Sequence, residues 1–155
     1  MKNKDNSIFR TLDSLCLMWL IGISIYVFVS YGKLPDTIPM HYNFMGEIDR
    51  YADKSEIFIL LVIAIGMHSL IGIIEGFPSL WNTGIKITET NKELVYGTLT
   101  KMIKTLKYLV SMMFGYMILM IIQGLPNIFY IFIIVTICDL GYWLYRLYQI
   151  NKKYN

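Results

Sequence analysis

The chain has 155 residues, of which 55% are apolar, 15% are aromatic and only 16% are charged. This balance excludes an ordinary soluble domain, in which charged residues make up about a quarter of the sequence. The net charge is +3, and the bases flank apolar segments. That placement is typical of contact with lipid headgroups and gives no reason to predict nucleic-acid binding.

Four apolar segments are long enough to cross a bilayer as helices. A hydrocarbon core of about 30 Å requires about 20 mostly apolar residues in a helix. None of the four segments contains Lys, Arg or Glu. The predicted spans are residues 15–31, 57–74, 108–125 and 128–145. We therefore predict an all-α fold, an integral membrane four-helix bundle that forms a single domain over residues 1–155.

The first span follows three bases, as a secretory signal would. Its apolar run is long, however, and no pair of small residues after it offers a cleavage site, so we expect a retained anchor. The two cysteines, Cys16 and Cys138, lie within predicted spans and form neither a disulfide framework nor a metal-ligand spacing. We expect both to be buried packing residues.

The bases are distributed unequally between the two sides of the predicted bundle. Three precede span one, five lie between spans two and three, and three follow span four, whereas the loop after span one holds three. Eleven bases against three is a strong positive-inside bias. We therefore expect both termini in the cytoplasm and residues 32–56 outside the membrane.

The outer loop, residues 32–56, is the longest polar stretch of the chain. Pro35 and Pro39 disfavour helical angles in the residues before them, so the chain should leave the membrane in extended form. Two short stretches then flank a turn containing Gly46. This pattern predicts a small extracytoplasmic cap between helices 1 and 2, either a hairpin or a compact loop.

The cytoplasmic loop, residues 75–107, ends in a periodic segment. Apolar residues recur there at helical spacing, which predicts an amphipathic helix ahead of span three. In one interpretation this helix lies at the membrane surface, with Lys101, Lys104 and Lys107 reaching lipid headgroups. In the other it is a helix end packed under the bundle.

Two ionisable side chains, His68 and Asp139, fall inside predicted spans. Each lies eleven residues past the start of a span that runs from outside to inside, so similar depths are expected. An ionised carboxylate near the bilayer centre costs at least about 3 kcal/mol. We therefore predict that span two packs on span four and that His68 and Asp139 pair, either as an ion-linked switch or as a structural hydrogen bond.

His41 stands among acidic residues in the outer loop, and imidazole and carboxylates can bind metals or act as bases. The spacing matches no metal motif, and no catalytic fingerprint occurs elsewhere. We expect His41, Tyr42 and Asn43 to fix the shape of the loop or to contact a partner. We predict no enzyme activity, no metal and no cofactor. The neighbouring acids are Asp36, Glu47, Asp49 and Asp53.

The stretch "LPDTIPMHYNFMGEIDRYADKS" resembles the pattern Leu-Pro-x-x-Ile-Pro-x-His-aromatic-Asn-x-x-Gly-x-x-Asp, followed by Lys, of the family called domain of unknown function 1648. The segment "IKITETNKELVYGTLTKMIKTLKY" is also similar to one that follows in such proteins. The matching residues are Leu34, Pro35, Ile38, Pro39, His41, Tyr42, Asn43, Gly46, Asp49 and Lys54.

This family forms the amino-terminal part of SdpI-type immunity proteins, which protect bacteria from a membrane-damaging peptide. The resemblance implies a bacterial cytoplasmic membrane and an outer loop that recognises a toxic peptide or another ligand. The residues that we expect to contact this ligand or a partner are Pro35, Pro39, His41, Tyr42, Asn43, Gly46, Asp49 and Lys54. The additional carboxy-terminal helices of the SdpI type are not among the four predicted spans.

An alternative function is that of an accessory or regulatory subunit of a transporter or signalling complex, which would make another membrane protein the partner. An intramembrane enzyme is the weakest alternative, because no paired catalytic groups converge in the sequence.

Overall fold

The computed structural model describes residues 2–43 and 45–154. Helix makes up 74% of the structure, but a two-stranded antiparallel sheet is also present, so the all-α expectation holds only approximately. The helices are α1 (Lys2–Ser30), α2 (Glu56–Gly76), α3 (Lys92–Gln123) and α4 (Phe129–Tyr154), and the strands are β1 (Thr37–Tyr42) and β2 (Ile48–Asp53). One-turn 3-10 helices occur at Tyr31–Lys33 and Pro78–Leu80.

All four helices are long enough and apolar enough to cross a membrane. The β-hairpin joins α1 to α2 and defines what we call the hairpin end of the molecule. Because successive helices run in opposite directions, both termini and the loop before α3 lie at the other end, here called the terminal end. α1, α3 and α4 all extend at this end beyond the predicted spans, because their polar turns contain good helix formers such as Lys, Arg and Glu.

The outer surface of the helices is strongly apolar. Phe28, Val62 and Ile137 are each more than 60% exposed, although residues of this kind are usually buried in soluble proteins. Exposed apolar surface on this scale is unfavourable in water. The outward-facing side chains therefore require a hydrocarbon solvent.

α3 is the helix that packs against each of the other three. Its contact with α1 is close at Gly115, where an added Cβ would overlap the Trp19 indole. The Trp19 Nε1–H also donates a hydrogen bond to the carbonyl oxygen of Ser111, at 3.3 Å. A small residue in α3 thus admits a large aromatic side chain from α1, which is a common way to pack membrane helices.

A tight turn joins α3 to α4. Gly124 ends α3 in the left-handed region, with φ of +65°, a conformation that glycine adopts without a Cβ penalty. Three residues later, the Asn127 side chain accepts a hydrogen bond from the backbone N–H of Phe129 at 3.0 Å. This bond satisfies a free donor at the start of α4.

The hairpin is anchored in the helical core by two aliphatic side chains. Ile38 of β1 is 1% exposed and Leu34 is also buried, and both pack with residues of α1, α2 and α3. The buried members of this cluster are Ile23, Val27, Leu34, Ile38, Ile57, Leu60, Leu61 and Ile118. The hairpin is therefore continuous with the core of the bundle.

A second, smaller core lies at the terminal end. Val95 and Leu99 of α3 pack on Leu147 of α4, and Trp81 and Ile85 from the preceding loop cover them. The amphipathic start of α3 is thus packed beneath the bundle, which is the second of the two interpretations given above. Lys104 and Lys107 likewise turn inward, so the expectation that they reach lipid headgroups is wrong for both.

Candidate functional site

The hairpin carries most of the residues singled out from the sequence. β1 and β2 pair antiparallel, with Ile38 opposite Ala52 and Pro39 opposite Tyr51. The register shifts between Pro39 and His41 and again between His41 and Tyr42. Such irregularities twist a strand and re-aim its side chains. Proline suits this place because it has no N–H to give to a regular ladder.

Polar pairs within the hairpin use several of these residues. The His41 Nδ1 atom lies 2.5 Å from an Asp49 carboxylate oxygen on the facing strand. At the base of the hairpin, the Lys54 ammonium group donates to the Asp36 carboxylate at 3.0 Å, and this hydrogen bond raises the pKa of Lys54. The backbone N–H of Lys54 also donates to the carbonyl oxygen of Asp36. His41, Asp49 and Lys54 thus hold the two strands together.

Asn43 organises the turn between the strands. Its side-chain oxygen accepts hydrogen bonds from the backbone N–H groups of Met45 and Glu47, and its amide donates to the Glu47 carboxylate at 2.9 Å. Gly46 has φ of +82°, which strains any residue with a Cβ. Asn43 and Gly46 therefore have local architectural roles, whatever ligand the turn meets.

A groove of about 590 Å³ lies between this turn and the start of α4. A Cβ added at Gly46 would lie 3.4 Å from the Asn127 side chain, so the turn rests directly on the α3–α4 connection. Tyr42 is half-buried in the groove, and its burial raises its pKa. The lining residues are His41, Tyr42, Asn43, Met45, Gly46, Asn127, Phe129, Tyr130 and Ile133. Pro35, by contrast, is exposed in the loop before β1.

Four charged side chains form a second polar centre near the terminal end, which we call the ionic cluster: Asp13, Glu75, Lys104 and Lys107. Each ammonium group contacts both carboxylates, at 2.7 or 2.8 Å. The Tyr108 hydroxyl donates a further hydrogen bond to Asp13 at 2.8 Å. The side chain of Lys107 is only 8% exposed. Two positive and two negative charges balance, which is the condition for burying charge at tolerable cost.

A chain of polar contacts leads from the ionic cluster toward the middle of the bundle. The Ser111 hydroxyl donates to the backbone carbonyl of Lys107 at 2.7 Å. His68 Nδ1 lies 3.0 Å from the same hydroxyl oxygen and 3.7 Å from the sulfur of Cys16. With the single Ser111 hydroxyl proton directed at Lys107, the His68 tautomer protonated at Nδ1 donates to Ser111. His68 is thereby satisfied by α3.

The predicted pairing of His68 with Asp139 is wrong. Asp139 instead accepts hydrogen bonds from the Thr105 hydroxyl at 2.8 Å and the Trp143 indole at 3.0 Å. Thr105 and Ser111 are six residues apart on α3, which corresponds to about 9 Å along the axis and about 120° around it. Equal counts from the start of each span did not predict the partners, because α3 packs against both helices and supplies each side chain with its own partner.

Sequence reasoning missed the ionic cluster. Asp13 precedes the first predicted span, Glu75 follows the second, and Lys104 and Lys107 precede the third. Because successive spans run in opposite directions, all four stand at the same end of the predicted bundle. The i,i+3 spacing of the two lysines also places them on one helical face. The sequence therefore contained a signal for this cluster. Two spans each have an acid at this end of the bundle, and a third has two bases on one helical face.

Two smaller expectations concern cysteine and metal chemistry. Cys16 is buried, as predicted, but Cys138 is exposed on α4, because the face of α4 that carries it does not contact α3. Among the described side chains, those of residues 7–43 and 45–154, no group of three or more His, Cys, Asp or Glu is placed to hold a metal ion. His41 and Asp49 thus stand as a pair.

The four apolar helices define a multi-pass membrane protein. Residues 17–65 match the family described as "Domain of unknown function (DUF1648)", which confirms the resemblance drawn from the sequence. The matched segment contains the second half of α1, the whole hairpin and the first half of α2.

A 49-residue stretch of the chain is 37% identical to an uncharacterized protein of Archaeoglobus fulgidus. The matched stretch is 32% of this chain and 24% of that protein, so the chain spans about a quarter of the relative's length. No solved structure matches the chain.

Proposed function

We propose that the protein is an immunity-type membrane protein whose hairpin groove recognises a toxic, membrane-active peptide. The proposed role is binding, with no catalytic step. The observation that carries the proposal is the joint construction of the groove, because the hairpin turn and the start of α4 line it from opposite sides. A ligand in this groove would touch two segments that are far apart in sequence.

The chemistry of the groove suits an amphipathic peptide. Tyr42, Phe129, Tyr130 and Ile133 provide apolar and aromatic surface, whereas His41 and the two asparagines provide polar groups. Aromatic anchors with a few polar groups are typical of peptide-binding surfaces. The residues that maintain the hairpin are largely occupied with one another, so we assign recognition chiefly to Met45, Tyr130 and the surface around them.

The proposal includes an orientation in a bacterial cytoplasmic membrane, with the hairpin outside and both termini in the cytoplasm. It rests on the eleven bases at the terminal end against three at the hairpin end. In a chain whose native cysteines are replaced by alanine, Met45→Cys should react with an impermeant maleimide added to intact cells. Lys153→Cys should react only after permeabilisation. Labelling in the reverse order would overturn this orientation.

The binding role is tested with a panel of synthetic membrane-damaging peptides. Cells that produce the protein should survive at least one of them, and a fluorescent form of that peptide should bind the protein in nanodiscs. Tyr130→Ala removes a groove side chain that is 61% exposed and should weaken binding about ten-fold. Tyr148→Ala is the matched control, because it changes a tyrosine of α4 that is 58% exposed outside the groove. Survival without the protein, or equal losses in both variants, would contradict the proposal.

One observation favours a second function, that of an accessory subunit of a transporter or signalling complex. Only 6% of the apolar window of α4 is buried, against 22–28% for the other helices. Such a face could pack on another membrane protein. The exposed thiol of Cys138 on α4 allows this contact to be tested by cross-linking in intact membranes. A cross-link from Cys138 to a second protein would support the subunit role. The absence of a cross-link at saturating reagent would count against that role.

A further inference from the structure

A cavity of about 960 Å³ lies at the terminal end, away from the hairpin groove. It is bounded by residues 7–10 of α1, the start of α3 and the second half of α4. α1 and α4 both pack on α3, and the cavity fills the gap between them. None of the residues of the proposed peptide groove lines it.

Basic side chains predominate among the charged groups of this cavity. Among the described residues, Arg10, Lys101, Lys104 and Arg146 line it, together with one acid, Glu93. Lys104 belongs to the ionic cluster, so its charge is already balanced. Arg10 and Arg146 are exposed, and neither guanidinium makes an ion pair within the described part of the chain. Two arginines from different helices, neither with an ion-pair partner among the described residues, thus offer positive charge to one space.

The rest of the lining is amphipathic. Phe9 and Leu94 contribute apolar surface, and Tyr142 and Trp143 contribute aromatic rings of the kind found at the level of lipid headgroups. The Trp143 indole N–H is already used by Thr105 and Asp139, so its ring rather than its donor faces a ligand. A free phosphate ion would satisfy the arginines but would leave the apolar walls unfilled.

We propose that this cavity binds an anionic phospholipid of the surrounding bilayer, with its phosphate between Arg10 and Arg146 and an acyl chain along α4. Guanidinium groups bind phosphate through paired, charge-assisted hydrogen bonds. Basic pockets between membrane helices are suited to anionic headgroups. The bound lipid would fill the gap between α1 and α4 and tie α4, which otherwise packs mainly on α3, to the rest of the bundle.

The test uses the full-length protein in a neutral detergent, titrated with phosphatidylglycerol or with zwitterionic phosphatidylcholine and read out by native mass spectrometry. Wild-type protein should bind phosphatidylglycerol about ten-fold more tightly than phosphatidylcholine. The double variant Arg10→Gln/Arg146→Gln should lose that preference. Lys152→Gln/Lys153→Gln removes the same charge from the same end but no cavity residue, and it should keep the preference within about two-fold.

A second variant blocks the cavity without changing charge. A Cβ at Gly97, which lines the cavity on α3, would meet nothing within 4 Å, so Gly97→Leu should fold while filling the space. Its control is Gly22→Leu, at a helical glycine of α1 that is equally open and outside the cavity. Gly97→Leu should reduce phosphatidylglycerol binding at least five-fold, and Gly22→Leu should not.

Three results would overturn the proposal. The first is equal binding of phosphatidylglycerol and phosphatidylcholine to the wild-type protein. The second is an equal loss in the cavity variants and their controls, which would indicate general surface charge. The third is displacement of the lipid by millimolar glycerol phosphate, which would identify a free phosphate compound as the ligand.

Discussion

The two ends of the molecule are stabilised in different ways. At the hairpin end, polar partners are close in sequence: His41 pairs with Asp49, and Asn43 bonds to residues two and four positions away. At the terminal end, Lys107 meets Glu75 and Asp13, which are 32 and 94 residues away and belong to two other helices. Short-range pairs shape one segment, whereas the ionic cluster fixes how three segments assemble.

The difference extends to burial. The His41 and Asp49 side chains are 63% and 42% exposed, so their interaction is screened and weak. The Lys107 and Glu75 side chains are 8% and 19% exposed, so loss of one partner leaves a charge in a medium of low polarity. The hairpin instead gains its strongest attachment from Ile38, through apolar packing.

The largest expected effect follows from breaking the ionic cluster. Lys107→Met should reduce the free energy of unfolding by about 3–5 kcal/mol, because Asp13 and Glu75 would then share one ammonium group. The measurement is unfolding of the protein reconstituted in bicelles. Lys152→Met, at the exposed end of α4, should change stability by less than about 0.5 kcal/mol.

The double variant Glu75→Gln/Lys107→Met separates charge balance from side-chain packing. It removes one charge of each sign, so it should recover most of the stability lost in Lys107→Met alone. If the double variant loses as much free energy of unfolding as the two single variants lose together, the four charges do not act as one cluster.

An intermediate effect is expected at the anchor of the hairpin. Ile38→Ala should cost about 3 kcal/mol, because it leaves a cavity where a fully buried side chain stood. Amide hydrogen exchange in residues 37–53 should accelerate more than exchange in α3. Ile48→Ala is the control, since Ile48 lies on the other strand and is 41% exposed, and it should leave exchange nearly unchanged. Equal acceleration in both variants would contradict an anchoring role for Ile38.

The smallest effect concerns pH at the base of the hairpin. Hydrogen bonds from Ser55 lower the pKa of Asp53 from its usual 3.8, so the stabilisation from Asp53 is present above that pH and is lost as the pH falls through the lowered value. The pKa of Lys54 is raised above its usual 10.5, so its contribution is present below that pH and is lost at higher pH.

Both Asp53 and Lys54 keep their charges through the neutral range. The contribution of these two residues to the protection of residues 37–53 from hydrogen exchange should therefore stay constant between about pH 5 and 9. Asp53→Asn should remove the loss of protection below pH 4 and leave the neutral range unaltered. If the loss of protection below pH 4 persists in this variant, the assignment to Asp53 is contradicted.

Sequence reasoning succeeded where the physical cause is local or depends on the solvent. Long apolar runs predicted the four helices, because a helix satisfies its own backbone hydrogen bonds in hydrocarbon. Gly46 between two short extended stretches allowed a hairpin, and the structure shows one. The predicted pairing of His68 with Asp139 was wrong, because the partner of each side chain depends on the position of α3.

The order of apolar and polar segments by itself determined that this chain forms four helices that are apolar on their outer surfaces, with a polar hairpin after the first. The tertiary structure alone decided that α3 is central, that Lys104 and Lys107 turn inward to two acids, and that the hairpin turn meets the start of α4. Helix formation depends on interactions within a few residues and on the surrounding solvent. The pairing of charges between helices depends on rotations and offsets that only the packed side chains fix.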